Sequence, residues 1–414
     1  IFGIIAILGI AFLLSNNKKA IDKKLVFTGL LIQALLAVFI LKVPLGQIVF
    51  AKIGYFITML LDFSNKGADF VFGPLVNSSL LAPVFGISNT FIFFFKIIPT
   101  IIFVSVLVSI AYHIGIMQRI VAVFAKVVHK LMGVSGSEAL SNVGSAFVGQ
   151  VEAQVMIRPY LPTMTKSEIL ASMSGSLACI AGGILVVYAN MGAQAGMDLA
   201  PKLITASLMA APGALVIAKI LFPETEVSQT MGKVTLEVKS QYSNTIDAIT
   251  HGAGDGFKIA INVIAMLIGF IALIALVDWS LLKIGHLFSA NVDLSLNFIF
   301  SKLFYPMAWA MGIPNVDVQN AATLLGQKLT INEFVAFKSL TSKVIPIVTE
   351  KGLLIVSIAI CGFANFSSVG MLIGGIGELA PTRRKDLAEL GLKALLAGTL
   401  ASYLSASIAG ILIG

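Results

Sequence analysis

Eight apolar runs without a charged residue, each near the length that crosses a lipid bilayer, constrain this chain more than any other feature. They occupy residues 1–16, 25–41, 97–112, 169–197, 203–218, 259–277, 353–377 and 394–414. About 20 apolar residues cross the hydrocarbon core as a helix, and each spanning segment must satisfy its own backbone hydrogen bonds. The sequence therefore predicts an all-α polytopic membrane protein with about eight transmembrane helices and no large soluble domain.

The charged residues lie in the loops beside these runs. Only 12% of the residues are charged and the net charge is +8, whereas an ordinary soluble domain carries about 25% charged residues. The clearest basic clusters, "NNKKAIDKK" (16–24) and "PTRRK" (381–385), mark cytoplasmic loops. The positive charge therefore indicates membrane orientation and not nucleic-acid binding. We predict a multi-pass protein of the inner (plasma) membrane with both termini outside. The first run is predicted as a span and not a signal peptide, because no basic segment precedes it.

The remaining polar features indicate surfaces and packing. Cys179 and Cys361, the two cysteines, lie within apolar runs, which argues against a disulfide or a cysteine metal site. The four histidines form no HxxxH-like pair. Residues 49–63 and 116–132 are amphipathic at helical spacing and are predicted as helices along the membrane surface. Residues 223–245 are predicted as a cytoplasmic loop between two halves of the chain.

Two glutamates stand alone in apolar surroundings. Glu152 is the only charge in residues 139–157, and Glu333 is the only charge in residues 329–337. Each stretch is too short for a full crossing, and Gly149 breaks helix propensity in the first one. The pattern predicts two re-entrant helical hairpins, which lipid tolerates only beside a cavity. An unpartnered carboxylate at membrane depth costs several kcal/mol. Each of the two glutamates is therefore expected to bind a ligand or a cation.

The segments after the two glutamates follow the same order. After Glu152, an apolar run is interrupted at "CIAGG" (179–183) and an unbroken run follows. After Glu333, an apolar run is interrupted at "FANFSSVGMLIGG" (363–375), and an unbroken run follows again. Such an internal repeat is typical of a transporter whose binding site lies at the repeat interface near the bilayer midplane.

Several motifs resemble those of the concentrative nucleoside transporters. They are "FVGQVEA", "RPYLP", "NEFVAF", "CGFANFSS" and "GGIGELAP". The resemblance continues through "GADFVFGPLV" (67–76), "PETE" (223–226), "AMLIGFIALIALV" (265–277) and "PMAWAMGIP" (306–314), and so covers nearly the whole chain. It implies a homotrimer in which each protomer has its own site, eight spans and two re-entrant hairpins.

The resemblance also implies two subdomains, a scaffold and a transport (elevator) part that moves against it. Residues 1–132 are mainly scaffold, with spans one to three and interfacial helices. Residues 133–222 hold the first hairpin, its broken span and the following span. Residues 246–290 form a long scaffold span, and residues 291–414 hold the second hairpin, its broken span and the last span.

By motif, the resemblance assigns the substrate contacts. Gln150 and Glu152 would bind the nucleobase, next to Val151, where family members usually carry a hydroxyl residue. A second set would bind the ribose and line the pocket, and consists of Glu333, Asn365, Ser368 and Phe363. Gln154 stands where the family frequently has proline. These departures leave open whether purines or pyrimidines are preferred.

The coupling ion is predicted from a second set of positions. In sodium-coupled members of the family, the ion lies between the first hairpin and the break in the following span. The matching residues here are Ser145, Val148, Cys179 and Ile180, a degenerate sodium site in which a hydroxyl replaces an amide and sulfur replaces a hard oxygen. We therefore predict proton symport, carried by Glu152 or Glu333, with sodium symport as the alternative.

Two other classes of function compete with a symporter. A passive nucleoside channel would share the membrane fold. An intramembrane enzyme would use the serine of "GVSGSE" (133–138) with buried glutamates as acid and base, but the serine lacks a strand-turn-helix context. We predict no enzyme activity and no cofactor beyond the coupling ion. The predicted partners are a nucleoside, the lipid bilayer and two further copies of the chain.

Overall fold

The computed structural model describes residues 1–85, 92–147, 149–231, 242–288 and 294–413. Across these ranges the chain is α-helical with short 3-10 turns, and none of their residues lies in a β-strand. The predicted all-α class is confirmed. Val148 of the predicted ion site and the predicted boundary between residues 290 and 291 lie outside the described ranges.

In the described ranges up to residue 132, six helices form the N-terminal part. They are α1 (Phe2–Leu13), α2 (Lys23–Leu41), α3 (Pro44–Phe72), α4 (Ser78–Phe85), α5 (Phe93–His113) and α6 (Ile116–Met132). The carboxylate of Asp22 caps α2 by accepting hydrogen bonds from the backbone N–H groups of Lys24 (2.8 Å) and Leu25 (3.1 Å). Pro44 begins α3, where its missing N–H costs nothing. Local capping therefore sets where both helices begin.

Both amphipathic stretches are helical. Residues 116–132 form α6, and residues 49–63 lie inside α3, which is 29 residues long and extends beyond the predicted stretch at both ends. α6 turns away from α5 by 75°. Gly115 lies at this corner with φ of +77°, a conformation that glycine adopts without steric cost.

Two groups of five helices share one order. The first group is α7 (Gly136–Phe147), α8 (Glu152–Val155), α9 (Lys166–Ala178), α10 (Gly182–Gln194) and α11 (Ala200–Leu221). Three helices follow it, α12 (Thr245–Phe288), α13 (Leu296–Leu303) and α14 (Tyr305–Ala310). The second group is α15 (Asn315–Thr330), α16 (Glu333–Thr341), α17 (Glu350–Ala359), α18 (Phe366–Leu379) and α19 (Arg384–Leu412). In each group a glutamate begins the second helix, and the third helix is separated from the fourth by a short break.

The two interrupted helices touch at their breaks. The backbone N–H of Phe363 donates to the carbonyl oxygen of Cys179 at 3.2 Å. A Cβ atom added at Gly362 would lie 2.3 Å from the carbonyl oxygen of Ala178, so this approach requires glycine. α11 and α19 pack around the crossing against α9, and most of their residues are buried. The core of the protein therefore surrounds the point where the two breaks meet.

α12 is the longest helix and runs against α5. Gly252 and Gly256 allow the close packing, since a Cβ at these positions would lie 2.7 Å from the Oγ of Ser109 and 2.8 Å from the Cα of Ile102, respectively. Small residues at a helix interface let two backbones approach, which is common within membranes. The α5–α12 pair forms a wall beside the repeated helices.

Each predicted apolar run coincides with helix. The runs at 169–197 and 353–377 are both interrupted. The first break, at 179–181, lies within the predicted 179–183, whereas the second lies at 360–365, and most of the predicted 363–375 belongs to α18. Among the described residues, four helices or helix pairs are long and apolar enough to cross a bilayer, and five if α5 and α6 count as one bent span. They are Lys23–Leu41, Lys166–Gln194, Ala200–Leu221 and Pro381–Leu412. The total of about eight crossings stays a prediction.

Candidate functional site

A cavity of about 250 Å³ lies where α8, α10, α16 and α18 meet, with α5 and α12 on its far side. All seven residues predicted to contact substrate line it: Gln150, Val151, Glu152, Glu333, Phe363, Asn365 and Ser368. Its apolar lining comes from Ile97, Ile101, Ile184, Val187, Phe334 and Met371, among others. Mostly apolar walls with a few convergent polar groups are typical of a small-molecule site.

Glu333 is a buried acceptor held by two side chains. It is the first residue of α16 and only 7% exposed. The Tyr188 hydroxyl donates to its Oε1 at 3.0 Å, and the Asn365 Nδ2 donates to its Oε2 at 2.9 Å. Asn332 caps the same helix by accepting from the backbone N–H of Val335 at 2.9 Å. The carboxylate therefore has a set orientation toward the cavity.

Asn365 links this carboxylate to the start of α18. Its Oδ1 accepts from the backbone N–H of Ser368 at 2.8 Å and from the Ser367 hydroxyl at 2.7 Å. Its Nδ2 is thereby directed toward Glu333. Phe363 lies in the break before α18 and lines the cavity. Helix capping and substrate-site geometry thus depend on one amide side chain.

Glu152 lies in different surroundings at the start of α8. Glu152 is exposed, and its carboxylate accepts hydrogen bonds from the backbone N–H groups of Val151 and of Glu152 itself. The carboxylate lies directly over Gly149, where a Cβ would be 1.8 Å from its Oε2. A larger residue at position 149 would displace the carboxylate from this place, so Gly149 lets Glu152 keep its orientation.

Gln150 and Val151 contact α18 across the cavity. The Gln150 Nε2 lies 3.9 Å from the Met371 sulfur, while its buried Oε1 has no hydrogen-bond partner among the described residues. A Cβ at Gly375 would lie 2.8 Å from a Val151 methyl carbon. Val151 is therefore packed on α18, and an apolar residue suits that contact.

Three residues of the predicted ion site are described: Ser145 lies in α7, and Cys179 and Ile180 lie in the break after α9. Ser145 donates its hydroxyl to the carbonyl of Ser141 at 2.8 Å. The Cys179 Sγ is 3.9 Å from the carbonyl oxygen of Asn142, and Ile180 is buried in the break. Within the described part of the chain, no cluster of three or more His, Cys, Asp or Glu could hold a metal ion. The side chains of Ser145 and Cys179 are thus engaged with protein carbonyls.

Sequence reasoning missed two residues beside Glu333. Tyr188 stacks on Phe337 with ring centroids 4.4 Å apart, in addition to its bond to Glu333. Lys328 is fully buried, and its Nζ has no hydrogen-bond partner among the described residues, but it interacts electrostatically with Glu333. In the sequence, Lys328 only marks the residue before the stretch 329–337. A hydroxyl inside an apolar run was the available signal for Tyr188.

A second cavity of about 200 Å³ adjoins the first. The two share Gly149 and Glu152, and the second is also lined by Tyr112, Tyr242 and Asp255 from the α5–α12 side. Glu152 therefore faces both cavities, whereas Glu333 lines only the larger one.

An all-helical membrane protein whose two repeated helix groups meet at a cavity with a few convergent polar groups belongs, by fold and site, to the class of transporters. Profiles of the "Na+ dependent nucleoside transporter" match its N-terminal residues 2–75 and its C-terminal residues 202–410, and a "Nucleoside recognition" gate profile matches residues 94–195. The chain belongs to the concentrative nucleoside transporter family, whose members carry nucleosides and are not enzymes.

Known relatives and solved structures match this protein along nearly its whole length. The "Nucleoside permease NupC" of Helicobacter pylori is 36% identical over 418 residues, covering 100% of this chain and 97% of the relative. "Sodium/nucleoside cotransporter 1" of Rattus norvegicus is 35% identical over 425 residues, covering 99% of this chain and 63% of the relative. CNTnw in an inward-facing substrate-bound state is 40% identical with a TM-score of 0.91, covering 99% of this chain and 96% of that one.

Proposed function

We propose that this protein is a cation-coupled symporter that imports nucleosides by an elevator form of alternating access. The observation that carries the proposal is the convergence on one cavity of all seven residues assigned to substrate by sequence, with Glu333 oriented there by Tyr188 and Asn365. These residues come from both repeated helix groups, as expected of a site at a repeat interface.

The ribose is assigned to Glu333, Asn365 and Ser368, with Phe363 against the substrate. Ribose hydroxyls are donors, and a carboxylate is the strongest neutral-pH acceptor a side chain offers. Each oxygen of Glu333 already accepts one bond from the protein and has a further lone pair for a hydroxyl. A hydrogen bond to a charged group contributes about 1.5–3 kcal/mol net.

The nucleobase is assigned to Gln150 and Glu152. The Gln150 Oε1 has no partner within the described ranges and the Glu152 carboxylate faces the cavity. An amide and a carboxylate together offer donor and acceptor groups to the polar edge of a base. The choice between purine and pyrimidine bases is left open.

The proposed architecture follows the repeat. α7–α8 and α15–α16 are the two re-entrant hairpins. With the helices that follow each hairpin they form a transport part (133–222 and 291–414), which moves against a scaffold (1–132 and 246–290). Eight spans, a homotrimer, and a plasma-membrane location with both termini outside complete the proposal.

The coupling cation is proposed to be the proton, carried by Glu152 or Glu333, with sodium as the alternative. The hydroxyl of Ser145 is engaged with a protein carbonyl, and the Cys179 sulfur is a poor ligand for a hard cation. Sodium stays as the alternative because the matching family profiles are named for Na+ dependence.

Uptake into proteoliposomes tests the proposal. Labelled uridine and adenosine should accumulate, chemically unchanged, above their external concentration under an inward proton gradient. Equilibration without accumulation under any gradient would indicate a passive channel instead. Stimulation by a sodium gradient at symmetrical pH, with none from protons, would overturn the proton assignment. Free bases that compete as well as nucleosides would refute the ribose contacts.

A further inference from the structure

Gln154 ties the substrate-lining segment of the first helix group to its two long neighbours. It lies in α8, two residues after Glu152, and is fully buried. Its Nε2 donates to the hydroxyls of Ser141 (3.1 Å) and Ser176 (2.8 Å), and its Oε1 accepts from the Ser172 hydroxyl (2.6 Å). Ser141 belongs to α7, and the other two serines belong to α9. Both N–H donors of the amide are used, and its oxygen accepts a bond as well.

This network continues to the wall of the larger cavity. The Ser176 hydroxyl donates to the backbone carbonyl of Gln150 at 3.0 Å. The Ser176 hydroxyl therefore links the side chain of Gln154 to the backbone of Gln150, at the two ends of the segment 150–154. α8 has only four residues, and so short a helix does not hold its shape alone. The position of Gln150 and Glu152 must come from tertiary contacts such as these.

The hydroxyl protons of the cluster all have protein acceptors. Ser141 and Ser172 lie 2.5 Å apart, and Ser172 donates onward to Gln154. Ser145 donates to the Ser141 carbonyl and lies 3.0 Å from the Ser176 hydroxyl. A cation bound here would have to displace several of these bonds. The amide N–H₂ of Gln154 already presents positive hydrogen atoms to two of the oxygens.

We propose that Gln154 is a positioning residue for the nucleobase half of the site. Its amide N–H groups take the place of a bound metal cation beside the serine oxygens. Nucleoside binding by this chain is then independent of sodium. The inference depends on the proposed nucleoside site and adds to it the group that holds Gln150 and Glu152 in place.

The test is calorimetric uridine binding to the purified full-length protein in sodium chloride and in choline chloride at equal ionic strength. The parent protein should bind equally in both salts. Gln154→Met keeps the side-chain length but removes the amide, and should lower affinity about tenfold or more, since three hydrogen bonds are lost and tenfold corresponds to about 1.4 kcal/mol. Ser172→Ala removes only the partner of Oε1, and should lower affinity less.

Gln33 provides the matched control. It is also fully buried, and its Nε2 donates to the Met209 carbonyl and the Ser405 hydroxyl, both at 2.9 Å, away from the cavity. Gln33→Met should lower the unfolding temperature about as much as Gln154→Met, yet leave uridine affinity unchanged. Uridine affinity is therefore the readout that separates positioning from general stability.

Three outcomes would overturn the inference and leave the proposed function intact. Binding by the parent protein only in sodium chloride would show that a cation is still required. Equal affinity loss in Gln154→Met and Gln33→Met would reduce Gln154 to a stabilising residue. If Gln154→Met does not fold, unchanged affinity in Ser172→Ala decides against the inference. Absence of uridine and adenosine binding by the parent protein in both salts would instead overturn the proposed function, and the inference with it.

Discussion

Glu152 and Glu333 occupy the same place in the two repeated helix groups, at the first residue of α8 and of α16, but their surroundings are opposite. Glu333 is 7% exposed and accepts hydrogen bonds from two side chains. Glu152 is exposed, faces two cavities and is bonded by backbone N–H groups. The repeat has kept the carboxylate and changed its environment.

The difference indicates a division of roles. Because Glu333 accepts hydrogen bonds on both oxygens and interacts electrostatically with the buried Lys328, its negative charge is partly compensated within the protein. A compensated, oriented carboxylate suits a permanent acceptor for ribose hydroxyls. Glu152 faces both cavities, and the hydrogen bonds to its carboxylate come from backbone N–H groups and not from side chains that would fix its charge. We therefore expect Glu152, of the two candidates, to carry the coupling proton.

The largest expected effect comes from removing the buried acceptor. Glu333→Ala should abolish uridine binding and transport, because two charge-assisted bonds to ribose would contribute about 3–6 kcal/mol, more than a hundredfold in affinity. Calorimetry and uptake measure the two losses. Glu389→Ala, at an exposed carboxylate bonded to Lys166, is the control and should change neither. Unchanged affinity in Glu333→Ala would remove this residue from the site.

The second effect concerns the charge beside Glu333. Lys328→Met should destabilise the protein by about 1–3 kcal/mol, because the buried Glu333 carboxylate loses the group with which it interacts electrostatically. Thermal unfolding in detergent measures the change. The double variant Lys328→Met/Glu333→Gln should recover most of the stability, whereas Lys202→Met, on a half-buried lysine whose Nζ donates to the Asp198 carbonyl, should cost little. No recovery in the double variant would mean that the two charges do not compensate each other.

The third effect separates the two carboxylates by function. Glu152→Gln should remove the stimulation of uptake by an inward proton gradient, while uridine still equilibrates and binds within about tenfold of the parent affinity. Proteoliposome uptake with and without the gradient measures this. Glu389→Gln should keep the full stimulation. If the proton gradient still stimulates uptake in Glu152→Gln, another group carries the coupling proton and the proposed division of roles is wrong.

The smallest effect tests the orientation of Glu333. Tyr188→Phe deletes one donor to the carboxylate and should lower uridine affinity about fivefold, or about 1 kcal/mol. Tyr403→Phe is the matched control, since the Tyr403 hydroxyl is buried with no hydrogen-bond partner among the described residues. Equal affinities in the two variants would indicate that Tyr188 packs beside Glu333 without orienting it.

The helices, the two isolated glutamates and the family could be predicted from the sequence because each depends on local pattern. An uncharged run of membrane length can only be helical in lipid, and a lone charge within it is visible without knowing its neighbours. The two breaks were predicted from glycine-rich and polar interruptions at 179–183 and 363–375, and the structure places them at 179–181 and 360–365. The resemblance of the motifs to those of the concentrative nucleoside transporters was enough to name the seven cavity residues.

What holds those residues was decided only by the tertiary structure. Tyr188 meets Glu333 across 145 positions of the chain, and Gln154 meets serines of two other helices. Lys328 is a site residue only because it is buried beside Glu333. No charge pattern along the chain predicts that burial. The sequence by itself determined which segments are helical and where charges enter the membrane domain, because both follow from the cost of exposing polar groups to lipid. Which polar groups satisfy one another depends on how the two broken helices cross, and that is a property of packing.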